Sequence, residues 1–497
     1  MKIMQSRWWL WAVFIWFEAK SNNLLLYEIN LVDEKQIQVS ISWEHSWRYD
    51  STKAPYNHDA VWIWGKIQEN GIWSSLLFKR IHTIKTETVI QKPIGFLIRR
   101  KNIGEGNIQD KIYIELVNPI SEKTSEIRLF GTEMVFVPEG SFYVGDSVSQ
   151  YTLRTKDGNP YQIENEGTIE NLFAKSEQNN FHPQSLTSQA PHLPIPAKFP
   201  KGFKAFYCMK YEISQEQFAD FLNTLTFQQQ KKHTVSSPDA PWGTPALYES
   251  FSHSARNDIV ILRSGIEPWL PATYGFLQET NGKHRACNFL HWQNLMAYLD
   301  WAGLRPMTEL EFEKACLGFS SPFPRQLAHG TEEFVRAKTI LQDGTPFEFV
   351  AEIATFRAGV VLSGRAAHEQ GIIGPLRCGF AALSQPNRLQ SGTSYWGIFE
   401  LSGNVWEQVI NLSSHGVQFD GQHGDGNLTE EGFSDALPAE ILLNGNGIGL
   451  RGGAWNSFIS DNLTYPFRDL AIADRYYIYT IPQRLATVGG RGVLTFE

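Results

Sequence analysis

Arg305-Pro306-Met307-Thr308-Glu309-Leu310-Glu311-Phe312-Glu313-Lys314-Ala315 is the stretch from which the fold is read. Thr308 is followed three residues later by Glu311, which makes a capping box. The hydroxyl accepts from a free N–H of the first turn, and the carboxylate returns to the cap's own N–H. Leu310, Phe312 and Ala315 follow, so a helix is expected from 309 onward. Glu309 and Glu313 lie one turn apart, and with Glu311 serving the cap they are expected to face water. Ser214 and Gln217 repeat the box, followed by Phe218, Phe221 and Leu222 at helical spacing. A third helix is expected near Trp292 to Trp301. Met134-Val135-Phe136-Val137-Pro138-Glu139-Gly140 reads as a strand running into a turn.

Before this body lies a region of different character. Over Lys35 to Glu44, Ile37, Val39, Ile41 and Trp43 fall on one face and polar residues on the other, the period of a half-buried strand. Val61 to Ile67 and Lys111 to Val117 read as further strands. Trp43-Glu44-His45-Ser46-Trp47-Arg48 and Asn57-His58-Asp59-Ala60-Val61-Trp62 look motif-like; aromatic core packing and an aromatic ligand platform both fit them. Residues 147 to 200 read as a long surface loop, and beyond 320 the chain is loop-rich. The expected organisation is a leader (1–19), a small all-β domain (20–126) and a second domain (127–497). The fold class is α+β, a few helices on an irregular β body.

The chain has 497 residues, with 44 Lys plus Arg against 52 Asp plus Glu, a net charge of −8. That balance argues against a nucleic-acid surface. With 42% apolar and only 19% charged residues it is no disordered chain. Trp8 to Phe17 are ten apolar residues in a row, after Lys2 and Arg7. A helix of that length covers about 15 Å, half a bilayer core, so it reads as a secretory signal rather than a membrane span. An extracytoplasmic location is therefore expected, secreted or periplasmic, with Ala19 at the cleavage position. Cys208, Cys287, Cys316 and Cys378 form no CxxC pair and sit among apolar residues. They read as buried thiols, with one disulfide possible after export.

The usual catalytic signatures, HExxH, P-loop, GxGxxG and GxSxG, are absent. Asp420, His423 and Asp425 lie in a glycine-rich run that could hold a cation or form a polar turn. Arg99-Arg100-Lys101 reads as a solvated basic turn. Glu400-Leu401-Ser402-Gly403-Asn404-Val405-Trp406-Glu407 is more telling. Two carboxylates and the carbonyls of Gly403 and Val405 could supply four of the six to eight hard oxygens that calcium takes.

Five segments in order resemble the family of the formylglycine-generating enzyme, the sulfatase-modifying factor. They are Met134 to Phe142, Met209-Lys210-Tyr211-Glu212-Ile213-Ser214, Arg305 to Ala315, Gly403-Asn404-Val405-Trp406-Glu407 and Arg451-Gly452-Gly453-Ala454-Trp455. The resemblance runs from about Ile127 to the C-terminus and implies an elaborated relative of the C-type lectin fold. It also implies a structural calcium on Glu400, Gly403, Val405 and Glu407, where Glu400 replaces the shorter Asn or Asp usual in the family. The family's two catalytic cysteines fall on Ser457 and Asn462. Copper(I) needs soft thiolate ligands, so no copper is expected. The iron-dependent sulfoxide synthases related to this family use histidines from an added helical domain. The added region here reads as β and lacks the HxxxH pair.

The resemblance to non-catalytic members implies a ligand-binding end built from Trp406, Arg451, Trp455, Ser457, Arg468 and Arg475; a structural role, bracing buried loops by bonding carbonyls, also fits the arginines Arg468 and Arg475. The expected function is that of an exported, non-oxidase member that binds a protein or glycan ligand or supports a cell-envelope assembly. The alternative is an enzyme with altered chemistry, using Ser457 as nucleophile or Asp461 as base. A purely architectural role, with the aromatic first region docking on another subunit, is a third reading.

Overall fold

The computed structural model describes residues 23–49, 54–120, 126–175, 194–249, 252–278, 282–334, 337–354, 372–382, 388–457 and 468–496. The leader expected at 1–19 lies outside them. No helix among the described residues is long and apolar enough to cross a membrane.

Two sheets stack at the start of the chain. The first holds, in spatial order, β1 (Leu25–Asp33), β2 (Gln36–Arg48), β8 (Gly104–Leu116) and β5 (Phe78–His82). The second contains β9 (Ile127–Val137), β3 (Asp59–Glu69), β7 (Gly95–Arg100) and β6 (Thr86–Lys92), with β4 (Ile72–Ser75) beside β3. The alternation expected in β2 is present: Ile37, Val39, Ile41 and Trp43 are all buried. They meet Val61, Ile63, Phe96, Ile98 and Leu129 from the second sheet in one apolar cluster. This is the sandwich geometry of two half-buried sheets.

The second sheet does not end with the first region. β9 pairs with β3 from Asp59↔Val135 to Ile67↔Ile127, and beyond β9 lie the strands Phe206–Met209, Gly492–Thr495 and Arg305–Pro306. The boundary drawn at 126/127 thus falls at the start of a strand paired with the preceding region, and one sheet runs through both. β3 is buried on both faces from Asp59 to Lys66. Val61 and Ile63 look into the sandwich, whereas Ala60, Trp62 and Trp64 belong to the cluster of the larger body. A strand covered on both sides reads as a near-continuous apolar run, as Ala60-Val61-Trp62-Ile63-Trp64 does. Trp62 is wholly buried, and its Nε1–H donates to the carbonyl of Ala302 at 2.7 Å.

The two aromatic motifs settle into this joint as core rather than as a platform. Asp59 is fully buried and accepts from Ser46 Oγ (2.8 Å), Trp47 N (3.0 Å) and Trp43 Nε1 (3.2 Å). Trp47 Nε1 donates to Asn57 Oδ1, and Asn57 Nδ2 donates to the carbonyl of Trp396. Lys210 Nζ lies 2.7 Å from Glu133 and 3.6 Å from Asp59. Burial works against the Lys210 charge, but Glu133, with Tyr211 and Asp59, outweighs it and holds the ammonium above the ordinary lysine range. Arg99 and Arg100 end β7 instead of forming a free turn; Arg99 pairs with Glu87, which also takes Arg48.

The longer helices on the larger body are α1 (Gln215–Leu222), α2 (Phe227–His233), α3 (Trp292–Trp301) and α4 (Glu309–Leu317); among the described residues Arg388–Ser391 and Ala439–Asn444 add two short ones. The capping boxes at Ser214 and Thr308 are both formed. Two more, Thr226 with Gln229 and His291 with Asn294, open α2 and α3. The stretch expected as a loop over 147–200 carries the short strands Thr152–Arg154, Tyr161–Ile163 and Phe173–Lys175.

His58 stacks on Phe136 with ring centroids 4.7 Å apart, and its Nε2 lies 2.8 Å from Tyr207 Oη. Burial first, then Arg99 and Arg48, pull its pKa down to about 3. An unfolded histidine takes a proton near pH ~6.5. Below that pH the unfolded chain binds a proton that the folded chain refuses until about 3. Stability therefore falls as the pH drops through this window, by up to ~1.4 kcal/mol per pH unit from this one group. His58→Gln should flatten the loss between pH 6 and 4 in urea titrations, while leaving it unchanged above pH 7.

Candidate functional site

Every residue of α4 is buried. Glu309 and Glu313, expected to face water, are fully buried instead, because arginines from distant segments meet them. Glu309 accepts a two-pronged pair from Arg475 (2.6 and 2.9 Å), a third bond from Arg451 (3.1 Å) and one from Leu412 N. Burial alone would raise its pKa, but Arg475 and Arg451 outweigh that and keep the carboxylate below its ordinary range. Glu313 takes Arg451 Nη2 (2.7 Å) and Gly145 N (2.6 Å). Glu311 caps Thr308 and pairs two-pronged with Arg305 (2.9 and 2.6 Å). Arg451 and Arg475, expected at a ligand-facing end, are thus inside the protein and turned toward carboxylates.

Arg451 ends the strand Ile448–Arg451, which pairs with Glu407–Ile410. The next residues must pass very close to the 400–407 loop. At Gly452 (φ +83°) a Cβ would lie 2.7 Å from the Leu401 carbonyl; at Gly453 (φ +74°) it would lie 2.6 Å from Leu470. Only glycine fits such a path without strain. Gly403 N then donates to Gly452 O (2.8 Å) and Trp455 N to Asn404 O (2.7 Å).

On the other side of this loop lies a carboxylate group that sequence reasoning found only in part. Glu212 accepts from Asn404 Nδ2 (2.5 Å) and Val405 N (3.0 Å). Glu400 Oε1 accepts from Gly379 N (2.9 Å), and Glu407 Oε1 from Arg491 Nε (2.5 Å). Glu400 Oε2 and Glu407 Oε2 are buried without a hydrogen-bond partner, as is Arg491 Nη2. All three carboxyls are pushed upward by burial, Glu400 to about 8, with Arg491 opposing the shift. Arg491 acts on all three carboxyls, and Arg377 acts on Glu400 as well. Among the described residues, the carbonyls of Gly403 and Val405 accept no hydrogen bond. The four expected donors, Glu400, Gly403, Val405 and Glu407, thus each keep a hard oxygen uncommitted, which is the donor chemistry of calcium. Glu212 was visible in sequence only as part of Met209 to Ser214. Nothing in its spacing announces that it closes on a loop nearly two hundred residues away.

The remaining candidates are placed as follows. Trp406 is 8% exposed and packs edge-on against Tyr477 (5.1 Å). Trp455 is buried and its Nε1 donates to Ala486 O. Ser457 is 5% exposed; its Oγ accepts from Ala454 N (2.8 Å) and its N donates to Ala454 O. Asp461, Asn462 and the side chain of Arg468 lie outside the described residues. The four cysteines are free and buried. Burial raises every thiol, Cys208 to about 12.

Of the glycine-rich run, Asp425 joins Asp300 and Asp435, the acidic cluster with ligand atoms within 4.8 Å of one another among the described residues. Asp300 there accepts from Ser434 Oγ, Asp435 N and Asp425 N. The buried ammonium of Lys66 interacts with both Asp300 and Asp425. His423 faces Thr495 instead, and Asp420 is exposed.

A sheet-based α+β body with few short helices, closed by an Arg-Gly-Gly turn against a Gly-Asn-Val-Trp-Glu loop, defines the class. The sequence profile of the sulfatase-modifying factor enzyme 1-like domain matches residues 122–475. The chain belongs to that family. No curated protein matches it significantly.

Arg475→Met leaves part of the Glu309 charge buried and unanswered, and should cost ~3–5 kcal/mol in urea unfolding. The double change Glu309→Gln with Arg475→Met should cost less than the sum of the singles by about 0.5–3 kcal/mol, because the partners are in contact.

Proposed function

We propose that this protein is a non-oxidase member of the sulfatase-modifying factor family. On this reading it is exported and uses the groove bounded by residues 404–407 and 451–475 to bind a protein or glycan ligand, or to hold a cell-envelope assembly together. The observation that carries the reading is Ser457. A hydroxyl stands at a position where the family's oxidases carry a thiol, and it is engaged in a tight turn with Ala454. A hard oxygen does not hold copper(I), and the four thiols are buried with pKa values driven up by desolvation. Export rests on the basic and apolar pattern of residues 1–19. Arg451, Trp455, Ser457 and Arg475 are each 5% exposed or less and Trp406 is 8% exposed, so on this reading a ligand meets the exposed position beside them, Asn456, rather than these side chains themselves.

Structural calcium belongs to the same proposal. Glu400 and Glu407 through their unpaired oxygens, with the carbonyls of Gly403 and Val405, are the residues that would hold it. The ion would add positive charge where three carboxyls outnumber Arg491 and Arg377. Glu212 holds the loop from behind through Asn404 and Val405.

Titration of the purified full chain with copper(I) under reducing conditions should show no one-to-one complex in competition with a colorimetric chelator. Tight binding at one equivalent would overturn the non-oxidase reading. Calcium at millimolar concentration should raise Tm by several degrees, and Glu407→Gln should abolish the rise. An equal rise in that variant would remove calcium from the site.

A further inference from the structure

Away from these segments, a cavity of about 500 Å³ opens between the 197–205 loop and the glycine-rich loop 420–423. Small-molecule sites usually occupy about 300–1,000 Å³. The two loops come together at Gly421, where φ is +87° and a Cβ would lie 2.9 Å from Pro200. None of the lining residues belongs to the 404–407 or 451–475 segments.

The charges around this cavity are of both signs. Lys198 and Lys204, both exposed, come from one loop; Asp420, also exposed, comes from the other. Arg305 lines the cavity too, 1% exposed, with both terminal nitrogens on Glu311 and its Nε–H without an acceptor. Glu166 is committed to the backbone, accepting from Lys201 N and Lys204 N at 2.9 Å each. His423 Nε2 accepts from Thr495 N (3.0 Å), which leaves its ring proton on Nδ1. Phe496, 44% exposed and 5.5 Å from the ring of Tyr207, adds an apolar wall.

Three cationic and three anionic side chains line the space, so it carries no net charge. A simple anion such as phosphate gains little there, least of all in a chain of net charge −8. A neutral sugar would desolvate both lysines and Asp420 without answering their charges. A ligand with a charge of each sign at its two ends answers them all. We propose that this cavity binds a small zwitterion, an amino acid or short peptide. Its carboxylate is taken by Lys198 and Lys204, and its ammonium by Asp420.

Isothermal titration of the full chain with trialanine tests this. Trialanine should bind one-to-one. Removing its carboxylate as the C-terminal amide, or its charge at the other end by N-acetylation, should each weaken binding at least tenfold. Lys198→Ala with Lys204→Ala should weaken trialanine by a similar factor yet leave the amide almost unaffected. Asp420→Asn should do the same with respect to the acetylated peptide. Lys231→Ala with Lys232→Ala, an equal charge change on exposed positions of α2, should leave binding unchanged. All variants replace exposed residues, and an unchanged Tm shows that they are folded. No heat from trialanine at millimolar concentration overturns the proposal. So do blocked peptides that bind as well as the free one, or an equal loss in the α2 variant.

Discussion

Glu309 accepts two guanidinium groups at once, and much of the body is arranged by that demand. A carboxylate removed from water costs several kcal/mol unless it is paired and hydrogen-bonded. α4 carries three such groups in five residues, all buried. Each is answered by a specific arginine: Arg475 and Arg451 for Glu309, Arg451 for Glu313, Arg305 for Glu311. Where Arg451 must sit decides where Gly452 and Gly453 pass, and so decides how Gly403 and Asn404 meet them. The candidate site is thus positioned by a helix that takes no direct part in it.

The opposite face of the same loop follows a different rule. There the carboxyls of Glu212, Glu400 and Glu407 outnumber the guanidiniums of Arg491 and Arg377, and buried oxygens are left over. Around α4 the charges are matched and the geometry is closed. Around Glu400 the mismatch is what makes a bound cation chemically reasonable. The two arrangements are connected through one short loop, so charge in the second bears on the placement of the first.

How much of this was legible in the sequence depended on the range of the interaction. Local signals were readable: the caps at Ser214 and Thr308, the alternation in β2 and the extent of α3 are settled within a few residues of chain. The five ordered segments carried the family, and with it the loop 400–407. Long-range pairing was not readable. Glu309 and Glu313 have the spacing of a solvated helix face, and nothing nearby indicates that Arg451 and Arg475 arrive from more than a hundred residues away. Glu212 was hidden for the same reason. His291 escaped notice as a cap because its ring nitrogen does the work usually done by a hydroxyl or carboxylate. The aromatic motifs at Trp43 and Asn57 left two readings open, and only the meeting of their residues at Asp59 decided for the core.

The pairing of β3 with β9 has one more consequence. Because the two strands share hydrogen bonds from Asp59 to Ile67, severing the chain near residue 126 would not release two independent modules. Each fragment would present a long, flat, apolar margin with its amide and carbonyl groups unsatisfied. Such margins recruit other chains rather than water. Shuffling of the first region onto other scaffolds by simple gene fusion is accordingly a poor route for this protein, and the two regions are constrained to change together.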